Sequence, residues 1–164
     1  MTTTTVFADD DGYVRSGDFT YSTARSGGGT TTAFDNSDAR VGQTFSAGSY
    51  FIYEGFYSFE TANALADDEV VSQVDLMTWL VTDSSTTDFT GEARTKDWGD
   101  PTVEAGDYVA GGSLSGNTKL ATLASSGIGS TGAYKTWTSE GAAFNSAIAV
   151  TGTTNNTEML LCSD

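Results

Sequence analysis

The sequence predicts an all-β protein, a jelly-roll-type β-sandwich of about eight strands with one short helix near the C-terminus, built by residues 1–164 as a single domain. Three observations lead there. The chain carries 19 glycines, one proline and long Thr/Ser tracts, a composition suited to short strands joined by small-residue turns. Segment 49–61, SYFIYEGFYSFET, places Phe51, Tyr53, Tyr57 and Phe59 on one parity, the period-two aromatic pattern of a strand. No strand–helix alternation of the kind that builds parallel sheets occurs along the chain.

Taken in order, TTTVF, GYVR and ARVGQTFS supply the first strands. Asp9–Gly12 reads as a turn, in which aspartate side chains bond nearby amides and glycine relieves the tight geometry. Residues 13–16 then enter a strand, with Tyr13 and Arg15 on the face opposite Val14. The stretch ARSGGGTTTAFDNSD reads as a flexible connection. Gly55, in the middle of the aromatic strand, marks a bulge or a close backbone approach.

Segment EVVSQVDLMTWLVT reads as a second long strand, with Val70, Val74, Leu76 and Leu80 on one face and Gln73, Asp75 and Met77 on the other. In DFTGEARTKDWGD, Phe89, Gly91, Ala93 and Thr95 alternate with Glu92, Arg94 and Lys96, which predicts a half-solvated strand with a salt-bridged exterior. Residues 100–117 form a long irregular connection, with turn signals at Asp100-Pro101 and Gly111-Gly112. KLATLASS and AYKTWTS are strands separated by the GIGSTG turn. In EGAAFNSAIAVTG, Phe144, Ala147 and Ile148 fall at helical spacing, and Gly152 is placed as the C-cap. TEMLLCSD closes the chain as a short apolar strand.

The net charge of −15 repels phosphate backbones and anionic headgroups, so nucleic acid and membrane surfaces are not expected partners. The chain has no histidine, which removes the usual general base and the commonest transition-metal ligand. Cys162, the one cysteine, sits in an apolar strand without a basic neighbour and reads as an inert buried thiol. Among carboxylates, Glu54 and Glu60 share a strand face but lie about 20 Å apart, too far for the acid pair of a glycosidase. Glu92 could approach one of them across the sheet, but it alternates with Arg94 and Lys96 on what reads as a salt-bridged solvent face. No catalytic residue is expected.

Acidic clusters occur at Asp9, Asp10, Asp11 and Asp18, at Asp35, Asn36 and Asp38, and at Asp67, Asp68 and Glu69. None meets the EF-hand spacing, and they read as solvated turns without a metal. The alternative is a structural Ca²⁺ held by Asp9 and Asp11. Asn155 matches a glycosylation sequon in a chain whose start, MTTTTVFADDD, has no secretory pattern. The Thr/Ser/Gly-rich composition is that of extracellular β-proteins. A protein made in the cytosol and released with a virion reconciles that composition with the start of the chain.

The ordered set DGYVRSG, EGFYSFET, ADDEVVSQVDLMTWLV, FTGEARTKDWGD, GAYKTWTS and FNSAIAVTGTTNNTEMLLCSD resembles a group of β-sandwich domains. They occur in tailed-phage virion proteins and, in related form, in bacterial surface modules sometimes called DNRLRE domains. The resemblance implies a non-enzymatic virion structural protein: a capsid decoration, or a head or tail fibre or appendage subunit, localised to the virion and contacting host surface. It implies other virion proteins as partners and a homo-oligomer, with a trimer suited to capsid threefold positions. The alternative is a carbohydrate-binding module, whose glycan or partner contacts would be Trp98, Trp137, Tyr108 and Tyr134, with Trp79 a further aromatic candidate; taken singly, each of these rings reads first as core or sandwich-edge packing. Neither reading requires a cofactor.

Overall fold

Two eleven-residue strands, β1 (Ala8–Asp18) and β4 (Ser49–Phe59), pair antiparallel along almost their whole length and form the spine of the fold. The computed structural model describes residues 2–66, 68–98, 102–129, 131–150 and 156–163. Its other strands are β2 (Thr30–Asp35), β3 (Gly42–Ser46), β5 (Met77–Leu80), β6 (Thr90–Thr95), β7 (Lys119–Ala124), β8 (Ala133–Thr136), β9 (Thr138–Ser139) and β10 (Thr157–Ser163). An eight-stranded antiparallel sheet runs β2-β1-β4-β10-β6-β7-β9, with β3 also on β4, and β5 pairs β8 in a separate two-stranded sheet. The fold is all-β and sandwich-like, as the composition and the period-two pattern predict. Three short helices accompany it, α1 (Tyr21–Arg25), α2 (Thr61–Ala64) and α3 (Ala142–Ala147). Only the last of these was expected, and the Gly152 cap, the Asp100-Pro101 turn and Asn155 lie outside the described residues.

Alternation along β4 separates two cores. Ile52, Glu54, Phe56 and Ser58 point to one face and are all buried. There Val14, Phe56, Leu160 and Cys162 pack against Trp98, Val103 and Leu114 from the long β6–β7 connection, which includes the 3₁₀ turns Ala105–Asp107 and Gly111–Gly116. On the opposite face Ala93, Met159 and Leu161 pack with Leu76, Trp137 and Phe144, while Tyr57 and Phe59 lie half-buried at the margin. The apolar closing strand β10 is thus central, paired to β4 on one side and β6 on the other. That position explains its near-continuous burial.

Several expectations are corrected. Asp9–Gly12 is not a turn: β1 begins at Ala8, and Asp10, Asp11 and Gly12 pair with Ser58, Tyr57 and Phe56. The register slips between Ala8 and Asp10, so the extra residue is absorbed as a bulge within the strand. Pairing to β4, rather than local turn chemistry, decides the conformation. Val14 does face away from Tyr13 and Arg15: Tyr13 stacks on Phe34 at 4.5 Å, and the Arg15 guanidinium lies over Phe34 and Phe51. The supposed flexible connection holds α1's last two residues, Ala24 and Arg25, and the whole of β2. Gly55 is a close approach, since a Cβ there would stand 3.0 Å from the Ala39 Cβ and 3.3 Å from the Arg40 carbonyl oxygen.

The long strand expected over EVVSQVDLMTWLVT is only four residues, Met77–Leu80. Its partner β8 is equally short, and residues 70–75 make no backbone–backbone hydrogen bond among the described residues. Val74 and Leu76 do turn inward, but Val70 is 87% exposed. Segment TTTVF likewise forms no strand ladder before Ala8 among the described residues.

Candidate functional site

Strand alternation places two carboxylates on the covered face of the sheet. Glu54, between Ile52 and Phe56 on that parity, is 2% exposed. Its Oε2 accepts a hydrogen bond from the Val109 backbone N–H at 2.8 Å. Burial pushes its carboxyl up to about 8, opposed by that hydrogen bond and by the charges of Lys96 and Arg25. Glu92 is 6% exposed, so the predicted solvent face is in fact interior, although the predicted ion pairing is present. Arg94 donates to its Oε2 from Nε at 2.7 Å and approaches with Nη2 at 2.6 Å, while Lys119 Nζ stands 3.7 Å from Oε1. Arg94 Nη1 also donates to the carbonyls of Leu114 and Asn117, which fastens the covering connection to the sheet.

Cys162 pairs with Glu92 across β10–β6, and one residue beyond the Leu161–Gly55 pair it reaches Glu54. The two carboxylates therefore stand two strand spacings apart, about 9.6 Å between their backbones. The chamber shared by Glu54, Cys162, Tyr108 and Arg25 holds only about 10 Å³, room for one water and not for a sugar ring. Burial, with Glu54 and Glu92 nearby, pushes the Cys162 thiol up to about 12. The signal for Glu54 was present in the sequence, because a residue flanked at i±2 by Ile and Phe shares their buried face.

The aromatic candidates do not share a surface. Trp98 is buried edge-on against Phe56 at 6.0 Å, its backbone N–H donating to Glu158 Oε2. Tyr108 packs against the same core, its hydroxyl within 3.2 Å of the Ala24 and Arg25 carbonyls. Burial and the neighbouring Glu54 raise that hydroxyl above the ordinary tyrosine value. Trp137 is buried in the opposite core and donates from Nε1 to Thr78 Oγ1 at 3.0 Å. Tyr134 alone among the four is exposed, at 55%, and meets the 54%-exposed Trp79 edge-to-face at 5.1 Å.

That pair stands at one end of a groove of about 880 Å³. Its floor includes Tyr57, Phe59 and Met159 of the main sheet; residues 69–79 and Thr2–Ala8 also line it. Asp11, Asp38, Glu69 and Asp75 line it too, and no lysine or arginine does among the described residues. Burial and Asp38 raise the Asp11 carboxyl, and burial with Asp11 and Asp38 pushes the Tyr57 hydroxyl up to about 12. Asp9 is exposed on the bulge, and among the described residues no three acidic or cysteine side chains converge at metal-binding spacing. Asp67 lies outside the described residues. The groove offers apolar area with an acidic margin, a surface for binding.

Comparison with family models, with curated proteins and with solved structures finds no match to this chain.

Proposed function

We propose that this chain is a non-enzymatic virion structural protein of a tailed phage or virus, a decoration, fibre or appendage subunit that works by assembling with other virion proteins. The observation that carries this reading is the 880 Å³ groove, whose apolar lining stays open beside the exposed side chains of Phe7, Val70, Met77, Trp79 and Tyr134. An open groove of mixed apolar and polar lining with exposed large apolar side chains beside it fits a binding face. The sealed carboxylate row supports the non-catalytic side of the reading, since its chamber admits no substrate. The resemblance of the ordered strand segments to virion β-sandwich domains supplies the setting.

Gene order tests the setting: capsid or tail genes on either side are expected, and polysaccharide-degradation genes would overturn it. The carbohydrate-binding alternative rests on Trp79 and Tyr134, whose rings cross at 79° and so form no flat stacking platform. Reproducible glycan-array binding lost in Trp79→Ala would establish that alternative. Trp98→Ala and Trp137→Ala are unsuitable for this purpose, because both rings are core.

No metal belongs to the proposal. The melting temperature is expected to stay the same with added Ca²⁺ or EDTA. A site filled at 100 times its Kd would add about 2.7 kcal/mol, several degrees in a domain of this size. Such a rise, abolished by Asp9→Asn with Asp11→Asn, would return the Ca²⁺ reading.

A further inference from the structure

The geometry points to the open groove as a strand-addition site, in which an extended, apolar segment of a partner protein bearing lysine or arginine pairs with residues 70–76. This deepens the assembly reading of the groove and does not depend on the virion setting. Its basis is a mismatch between sequence and structure. Residues 70–80 have the composition and alternation of one long strand, yet only Met77–Leu80 is paired, and on one edge only. Residues 70–75 leave their backbone groups without backbone partners among the described residues. The Ser72 carbonyl accepts from Asn145 Nδ2 at 2.9 Å and the Leu76 carbonyl from the Trp137 N–H at 2.9 Å, while the N–H groups of 70–75 meet no acceptor among the described residues. An extended chain with such unused N–H groups beside apolar cavities is the arrangement that recruits an incoming strand: main-chain bonds supply affinity, and alternate side chains enter the groove.

The chemistry of the lining selects the occupant. Asp11, Asp38, Glu69 and Asp75 face the groove with no cation among its described residues, so a basic segment is steered in and an acidic one repelled. A second copy is disfavoured on the same ground, since each chain carries a net charge of −15. The chain's own Thr2–Phe7 already lines the groove and forms no ladder with residues 70–76.

Selection of a random displayed peptide library on the intact protein tests the proposal. The expected clones alternate apolar residues with lysine or arginine. Their synthetic peptides should slow amide exchange at residues 70–76, which is expected to be fast in the free protein because those N–H groups have no backbone acceptor among the described residues. Val71→Pro, which removes a backbone donor that no backbone acceptor uses, should abolish binding at an unchanged melting temperature. Glu69→Gln with Asp75→Asn should weaken binding about tenfold at low salt and less at high salt. The proposal is overturned if no clone emerges, if clones are acidic or uncharged, or if protection falls outside residues 70–76. A concentration-dependent dimer that Val71→Pro dissolves would also overturn it, by assigning the face to a second copy.

Discussion

Arg94→Ala is expected to cost about 3–5 kcal/mol of folding stability, the range for removing one partner of a buried ion pair. Glu92 is nearly sealed, and Arg94 is the partner that meets it at hydrogen-bond distance twice. Lys119 does not replace it: its ammonium is 3.7 Å from the other oxygen and is shared with Glu140 at 3.5 Å. The same substitution frees the Leu114 and Asn117 carbonyls, loosening the connection that covers one core. Urea unfolding measures the loss. The double variant Glu92→Gln with Arg94→Met should recover most of it, because no charge is then left buried alone. A single-variant loss below about 1 kcal/mol would mean that water reaches Glu92 and that the pair behaves as a surface bridge.

A second large effect is expected in the pH dependence of stability, through Glu54. Its folded-state value of about 8 lies above the ordinary 4.5, so between those limits the folded chain holds a proton that the unfolded chain releases. Stability from this group is fully present below about pH 4.5 and is lost as pH rises through 8. The slope is about 1.4 kcal/mol per pH unit, roughly 4 kcal/mol from pH 5 to pH 8. Glu54→Gln keeps an acceptor for the Val109 N–H without a proton to lose. It should unfold at a higher urea concentration than the parent at pH 8, with the advantage shrinking or reversing at pH 5. Asp10 and Asp11, whose carboxyls burial also raises, are present in both proteins and cancel in the comparison. Parallel stability profiles for the two proteins from pH 5 to 8 would show that Glu54 is ionised in the fold.

Sequence alone determined the elements whose pattern is local. Period-two alternation located β4 and β6, and the segments KLATLASS and TEMLLCSD were legible as β7 and β10; the Phe144, Ala147 and Ile148 spacing located α3; and the opposition of Val14 to Tyr13 and Arg15 followed from strand geometry. The all-β class was legible for the same reason. Tertiary structure decided everything that depends on a second piece of chain. Asp9–Gly12 is strand because β4 pairs with it, and residues 70–75 are not strand because no backbone among the described residues forms a ladder with them. Trp98, Tyr108 and Trp137 read in the sequence as core or as surface candidates, and the packing of the long connection and the small sheet decides for the core. Glu54 and Glu92 are the sharpest case. Alternation assigns each to a face, but whether that face meets water or protein is settled by where Trp98 and residues 102–118 come to rest, a placement encoded in no single segment because burial is a property of the packed pair.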